Sequence, residues 1–255
     1  MKRPFVVLNM AMTADGKIAT ANRVVTSFGS RRDVRHLYEL RATGDAVLCG
    51  AHTAGTAGVT LGPGGTRYQQ LRRERGLAEF HLRVVVSGQA TLSPDAEVFH
   101  EERSPLILLV SESAPQKRVA RLAAAGARVA RFGASTVDLP AALNWLSREH
   151  GVSRIVAEGG AQLNDALFRA HLIDEVHVTI CPYLFGGRKS PTIPEGKGFP
   201  NLTEALQADP VQIQRAGNEL FAVFRWKPHR APSDSELASC AAHDTGKTGG
   251  RLRKS

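Results

Sequence analysis

Segments typical of β-strands alternate with segments typical of α-helices along most of this chain. Short apolar runs at residues 45–51, 82–88 and 105–112 are bounded by turn residues, as buried strands are. Between such runs lie stretches with apolar residues three or four positions apart, for example residues 30–44. Strands that are joined through helices pair in parallel. The alternation therefore predicts an α/β protein with three layers, in which a mostly parallel sheet lies between helices.

Turn and cap residues set the expected ends of these elements. Gly44 is predicted to end the helix over residues 30–44, and Gly126 to end the helix that starts at residue 117. Asp138 is predicted to be the N-cap of a helix that stops at Gly151. Two alternating runs flank residues 216–219, which predicts a C-terminal antiparallel hairpin at the edge of the sheet.

Two segments differ in composition from the rest. Residues 228–255 are rich in Ser, Ala, Gly and charged residues without an apolar period, so we expect a disordered basic tail after one folded domain over residues 1–227. Residues 52–70 are rich in glycine and are expected to form a mobile functional loop before an arginine-rich helix.

The charge of the chain favours an anionic small molecule as its ligand. Its net charge is +9, but the arginines are scattered and have no interleaved aromatic residues, so we expect an attraction for a phosphorylated ligand rather than for nucleic acid. The apolar runs are shorter than the roughly 18 residues of a membrane span, and the basic N-terminus turns polar at residues 13–16, unlike a signal peptide. We expect a cytoplasmic protein without a membrane partner. The three cysteines, Cys49, Cys181 and Cys240, are widely spaced and predict neither a disulfide framework nor a metal site.

The stretch VAEGGAQLND, residues 156–165, joins a predicted strand to a predicted helix. Ligands of open parallel sheets bind beyond the carboxyl ends of strands, where the first amides of a helix are unpaired. Gly159 and Gly160 could let a pyrophosphate approach the backbone while residues 161–164 donate amides. A tight turn that needs positive φ is the simpler alternative. Because Rossmann, P-loop, nucleophile-elbow and HExxH motifs are absent, a cofactor that brings its own chemistry, as in hydride transfer, fits best.

Four stretches of the sequence match, in order and spacing, the pattern of a known family. They are NMAMTADGKIA at 9–19, LRA followed by DAVLCG between 40 and 50, EGGAQLN at 158–164 and IDEVHVTICPYLFGG at 173–187. Together they resemble the riboflavin-biosynthesis reductases, which include the C-terminal half of the bacterial bifunctional deaminase-reductase. The resemblance runs from about Phe5 to Trp226. It implies a dihydrofolate-reductase-like fold, a homodimer, and NADPH-dependent reduction of the ribose of a ribosylaminopyrimidine 5′-phosphate to the ribitylamino form.

The resemblance also implies which residues bind the two ligands. It gives substrate contacts at Asn9, Arg41 and Glu158, and cofactor contacts at Ala11, Ser27, Thr53, Ser87, Gly159, Gly160, Ala161, Gln162, Leu163 and Asn164. Side-chain chemistry leaves alternatives open: Arg41 could be a solvated arginine at a helix end, Glu158 could bond to the loop, and Asn9 could be a satisfied core amide. Asp15 and Gly16 have the composition of an ordinary turn. No catalytic acid and no metal ligand is assigned.

The loop that follows Thr53 departs from the family pattern. The family usually has two aspartates, a proline and a leucine-threonine-x-arginine run, whereas residues 55–67 here are GTAGVTLGPGGTR. Ala57 takes the place of an aspartate that contacts the cofactor, and Arg67 is the candidate for the missing substrate-side arginine. The exact pyrimidine therefore stays open. A reductase of another heteroaromatic, such as a pterin or folate, and a non-catalytic nucleotide-binding protein are the alternatives. The deaminase zinc motif is also absent from the sequence.

Overall fold

The computed structural model describes residues 3–23, 27–101 and 103–226. The predicted tail over residues 228–255 lies outside the described residues. The strands are β1 Phe5–Thr13, β2 Ala46–Gly50, β3 Leu82–Val86, β4 Leu106–Val110, β5 Arg128–Arg131, β6 Arg154–Ala157, β7 Glu175–Cys181, β8 Asp209–Ala216 and β9 Glu219–Arg225. The helices are α1 Arg31–Arg41, α2 Ala51–Ala54, α3 Thr66–Glu74, α4 Gln116–Ala124, α5 Leu139–His150 and α6 Ala161–Arg169, with a 3-10 turn at Glu97–His100.

The described strands form one sheet in the order β5-β4-β3-β2-β6-β1-β7-β9-β8. Strands β1 to β7 pair in parallel. The last two strands form an antiparallel hairpin that pairs with β7 through β9. This arrangement confirms the predicted mostly parallel sheet with a C-terminal hairpin at its edge.

Each face of the sheet has its own hydrophobic core. Successive side chains of a strand point to opposite faces, so Leu8 lies in one core and Val7 in the other. Helices α5 and α6 cover the first face, for example with Leu143. Helices α1, α2 and α4 cover the second face, to which α1 contributes Leu40. The predicted three-layer architecture is therefore confirmed.

The helix caps agree with three of the four predictions. Asp138 accepts a hydrogen bond from the amide of Ala141 at 2.9 Å, and Gly151 ends α5 with a φ of 64°. Gly126, with a φ of 101°, follows the C-cap of α4. Each glycine adopts the left-handed backbone that commonly closes a helix.

The prediction that Gly44 caps α1 is wrong. The helix ends at Arg41 and its C-cap is Ala42. A Cβ atom at Gly44 would lie 3.0 Å from Cγ2 of Val156. The glycine is therefore required where the chain enters β2 close against β6.

The predicted loop over residues 52–70 is shorter than expected. Residues 51–54 form α2, and α3 begins at Thr66 with Gly65 as its N-cap. The segment between these helices is residues 55–65, which we name the glycine loop. Among the described residues, every helix is too short or too polar to cross a bilayer.

Candidate functional site

The candidate site lies at the carboxyl edge of the parallel strands, where the segments that follow β2 and β6 begin. The amide of Glu158 donates to the carbonyl of Leu48 at 2.8 Å, and the amide of Gly50 donates to the carbonyl of Gly159 at 2.7 Å. A Cβ atom built on Gly160 would lie 3.1 Å from Oγ1 of Thr53. The structure thus brings the glycine pair and α2 into contact, as the carboxyl ends of neighbouring parallel strands require.

The backbone conformation requires glycine at the first position of the pair, and the second position leaves the start of α6 uncovered. Gly159 has a φ of 83°, and a Cβ atom there would lie 3.1 Å from Sδ of Met10. Gly160 is the N-cap of α6 and has no side chain to bond the first amides of that helix. The tight-turn interpretation is therefore correct, and the same bare backbone leaves the start of α6 accessible to an anion.

The first turn of α6 supplies fewer amides than predicted. The amide of Asn164 already donates to the carbonyl of Gly160 at 3.0 Å, so the expectation that it binds a ligand is wrong for the backbone. Ala161, Gln162 and Leu163 occupy the three positions whose amides have no partner within a helix. The Asn164 side chain is fully buried; its Nδ2 donates to the carbonyl of Ile193 at 2.9 Å, and its Oδ1 has no partner among the described residues.

Arg41 and Glu158, both predicted to bind substrate, bind each other. Nε of Arg41 lies 2.6 Å from Oε1 of Glu158, and Nη2 lies 2.7 Å from Oε2. Their side chains are only 8% and 10% exposed, so the interpretation of Arg41 as a solvated helix-end residue is wrong. Burial acts to lower the pKa of Arg41, but the charge and hydrogen bonds of Glu158 outweigh it and raise that pKa. The guanidinium therefore stays charged inside the protein.

Asn9 lies beside this pair. Leu8 pairs with Ala157 across β1 and β6, so Asn9 and Glu158 follow as the next neighbours on the face that α1 covers. Asn9 is 8% exposed, and its Oδ1 is buried without a hydrogen-bond partner among the described residues. It is therefore not a satisfied core amide. The three predicted substrate contacts gather at one place on one face of the sheet.

The other predicted cofactor contacts lie in separate segments of the chain. Ala11 lies near the end of β1, where it pairs with Thr179 of β7. Ser87 directly follows β3 and is buried; its Oγ accepts a hydrogen bond from the amide of Thr91 at 2.9 Å. Ser27 is exposed in the segment before α1. Of these residues, Ser87 has its side-chain oxygen already engaged in holding the turn after β3.

The two residues singled out in the altered loop are exposed. Ala57 is exposed in the glycine loop. Arg67 lies in the first turn of α3, its side chain 66% exposed, and its guanidinium is 3.8 Å from Glu39. Exposed charge pairs of this kind are weak, so the pair formed by Arg67 and Glu39 contributes little to stability.

Two groups of residues near the site were missed by sequence reasoning. Asp15 does more than form a turn: its carboxylate accepts hydrogen bonds from the amides of Phe185 and Gly186, at 3.2 and 2.7 Å, and so fastens the loop after β7. The hydrogen bond from Thr13 is the largest cause that lowers the pKa of Asp15. Two buried basic side chains on and before β3, His81 and Arg83, donate to the glycine loop. Their acceptors are backbone carbonyls, which leave no pattern in a sequence.

Comparison with known proteins identifies the family. A family model described as the RibD C-terminal domain matches residues 4–222. The chain belongs to this family. Within the described residues, no group of three or more His, Cys, Asp or Glu side chains is arranged to hold a metal ion.

Two relatives match over almost their whole length. One is the 2,5-diamino-6-ribosylamino-4(3H)-pyrimidinone 5′-phosphate reductase of Methanothermobacter thermautotrophicus, 35% identical over 88% of this chain and 99% of the relative. The other carries the same name in Archaeoglobus fulgidus and is 34% identical over 77% of this chain and 89% of the relative. These relatives confirm the resemblance to riboflavin-biosynthesis reductases.

A solved structure supports the fold. A pyrimidine reductase-like protein of Corynebacterium diphtheriae superposes with a TM-score of 0.75 at 20% identity, over 89% of this chain and 93% of that one. This likeness confirms the predicted dihydrofolate-reductase-like fold.

Proposed function

We propose that this chain is a reductase of riboflavin biosynthesis that uses NADPH to reduce the ribose of a ribosylaminopyrimidine 5′-phosphate to its ribitylamino form. One structural observation carries the proposal. The uncapped start of α6 and the buried group formed by Asn9, Arg41 and Glu158 lie at the same edge of the sheet, on either side of the glycine pair. The names of the two full-length relatives support the same reaction class.

The residues at this edge fit a nicotinamide dinucleotide. A pyrophosphate needs close approach to backbone amides, and residues 159–163 offer bare backbone and three unpaired amides. The buried Oδ1 of Asn164 can accept a hydrogen bond that no described protein group donates. When bound, the cofactor would supply the hydride for C1′ of the sugar. Ala11, Ser27, Thr53 and Ser87 are proposed contacts along the rest of its length.

Glu158 is suited to orient the sugar. Arg41 holds each carboxylate oxygen through one N–H, and each oxygen keeps further lone pairs. Those lone pairs can accept hydrogen bonds from ribose hydroxyls, while the unpartnered Oδ1 of Asn9 can accept another. Positioning of this kind places C1′ against the hydride donor. Arg41 then acts chiefly by fixing the orientation of Glu158.

The direct test is NADPH oxidation at 340 nm with the diamino and the deaminated ribosylaminopyrimidine phosphates offered in parallel. We expect turnover with one of them, and weaker turnover with NADH. Loss of the cofactor site should follow from Gly159→Ala, since the added Cβ strains a positive φ and crowds Met10. Gly151→Ala is the matched control, because its φ of 64° imposes similar strain where nothing lies within 4 Å. Absence of substrate-dependent oxidation with either pyrimidine would refute the proposal and favour a different heteroaromatic or a non-catalytic nucleotide-binding protein.

We also propose a homodimer formed through the β8–β9 hairpin. Residues 209–215 of the edge strand are exposed on both faces, and they include Ile213 at 67% and Val211 at 51% exposure. An exposed apolar edge strand is normally covered by another chain. Sedimentation should therefore give a dimer that Ile213→Asp converts to a monomer. Leu202→Asp, at an 86% exposed position outside the hairpin, is the control. A wild-type monomer at micromolar concentration would contradict the proposal.

The cytoplasmic location, the absence of a nucleic-acid partner and the single domain over residues 1–227 stay predictions.

A further inference from the structure

Three basic side chains donate to three successive carbonyls of the glycine loop. Arg83 Nη1 lies 3.2 Å from the carbonyl oxygen of Thr60, His81 Nε2 lies 2.7 Å from that of Leu61, and Arg41 Nη1 lies 2.7 Å from that of Gly62. We name Arg41, His81 and Arg83 the loop clamp. Arg41 comes from α1, and the other two come from the start of β3 and the residue before it. The clamp therefore ties the loop to two different elements of the fold.

All three side chains of the clamp are buried, at 6%, 1% and 2% exposure for Arg41, His81 and Arg83. Burial lowers the pKa of His81 to about 3, so its imidazole is neutral near pH 7. Its Nε2 therefore carries the proton that it donates to Leu61. The Arg83 guanidinium also donates to the carbonyls of Val98, Glu101 and Ser104. A buried charge is tolerated only when its donors are satisfied. The hydrogen bonds of the Arg83 guanidinium therefore hold together the segments that supply these carbonyls.

The backbone that the clamp holds is strained. Leu61 has a φ of 58° and is 1% exposed. A residue with a Cβ pays a steric cost in this conformation, and such strain persists only where the surroundings enforce it. Hydrogen bonds to the carbonyls on both sides of this residue and to its own carbonyl provide that enforcement.

The glycine loop is connected to the candidate site at two points. It begins after α2, whose Thr53 lies next to Gly160. It is tied near its other end to Arg41, which binds Gly62 with one N–H and Glu158 with two others. A displacement of Gly62 would therefore move the guanidinium that sets the plane of the Glu158 carboxylate.

The geometry points to His81 and Arg83 as positioning residues for the reaction: through the glycine loop and Arg41 they fix the carboxylate of Glu158 and so determine the affinity for the sugar of the substrate. This inference rests on the proposed function. His81 and Arg83 contact the loop rather than the ligand, so their effect is transmitted through Gly62 and Arg41. It should appear in the constants for the pyrimidine substrate and leave those for the cofactor unchanged.

The test compares His81→Leu with His81→Gln. Leucine removes the donor, while the glutamine amide places an N–H near the position of Nε2 and should restore the bond. We expect His81→Leu to raise the KM for the pyrimidine phosphate about tenfold, the size of one lost hydrogen bond at a positioning group, and to leave the KM for NADPH unchanged. His81→Gln should recover most of the loss. Leu146→Ala, in the fully buried face of α5, is the control for general destabilisation and should change neither constant.

Hydrogen exchange separates the two ways in which this idea can fail. Peptides spanning residues 56–64 should exchange faster in His81→Leu and at the wild-type rate in His81→Gln, whether or not the protein has reductase activity. If wild type oxidises NADPH with neither pyrimidine, the proposed function fails, whereas the exchange result still tests the clamp. Faster exchange in His81→Leu with unchanged constants for the pyrimidine would overturn the positioning role. His81→Asn, whose shorter side chain withdraws its N–H from Leu61, replaces His81→Leu if that variant does not fold.

Discussion

Glu158→Ala should destabilise the protein strongly, because it leaves the guanidinium of Arg41 buried without its counter-charge. Arg41 would keep one hydrogen bond, to the carbonyl of Gly62. Its two bonds to Glu158, at 2.6 and 2.7 Å, would be lost. Water cannot readily replace these two hydrogen bonds, because the Arg41 side chain is only 8% exposed.

The expected loss follows from this burial. Removing one member of a buried ion pair costs about 3–5 kcal/mol. For a folded unit of this size that corresponds to a fall in Tm of about 6–20 °C. The double variant Arg41→Met with Glu158→Leu removes both charges and should recover part of the loss. It still leaves the carbonyl of Gly62 without its donor, so we expect it to remain about 1–3 kcal/mol below wild type.

Thermal and urea unfolding of wild type, Arg41→Met, Glu158→Leu and the double variant measures the coupling between the two residues, and Glu158→Ala is measured beside them. Arg73 and Glu79 give a control pair at 2.9 Å, whose side chains are 53% and 37% exposed. Glu79→Ala should cost less than about 1 kcal/mol. A cost of that small size for Glu158→Ala, or a double variant as unstable as the sum of the single ones, would refute the buried-pair argument. Substrate turnover should be lost in the double variant even where stability returns.

Two further predictions concern pH and the loop after β7. Burial, with smaller contributions from His177 and Arg32, lowers the pKa of His36 to about 4, below its unfolded value near 6.5. The contribution of neutral His36 to the free energy of unfolding is therefore fully present above about pH 6.5 and is lost as the pH drops toward 4. The loss should be about 1–3 kcal/mol after allowance for partial exposure. Urea unfolding of wild type at several pH values should show this decrease, and His36→Gln should flatten it. Asp15→Ala removes the acceptor for the amides of Phe185 and Gly186, so hydrogen exchange at residues 183–187 should accelerate, and an unchanged rate would contradict the role of Asp15.

The architecture could be predicted because it depends on repeated local signals. Alternating apolar runs and helical periods recur along the chain, and caps such as Asp138 and Gly151 combine a residue type with a fixed position. Gly44 was misassigned for a physical reason. A glycine after a helix commonly serves as a cap, but here it is required by the approach of β2 to β6, and a contact between segments distant in sequence has no local signal.

The sequence indicates a candidate site at the sheet edge, which stays a prediction, but it does not indicate the contacts that the structure shows there. The strand-loop-helix order around the glycine pair indicates where a phosphate can approach, whatever the tertiary structure. The pairing of Arg41 with Glu158 joins residues 117 positions apart. The contacts of His81 and Arg83 use backbone carbonyls of the glycine loop. Neither kind of contact can be read from residue types alone, since any residue supplies a carbonyl and many glutamates could have met Arg41.

Two polar groups buried at the sheet edge fit the proposed binding of a ligand rich in hydrogen-bond donors. Asn9 and Asn164 each bury an amide oxygen that no described protein group bonds, and each such oxygen costs about 1–3 kcal/mol. A fold selected for stability alone would place apolar side chains there, as it does at Val7 and Leu167. Ribose hydroxyls and a carboxamide N–H are donors of the right kind, and in the proposed function they would bond these oxygens only in the folded protein. Ligand binding should therefore raise the free energy of unfolding, by an amount that falls when either asparagine is replaced by leucine.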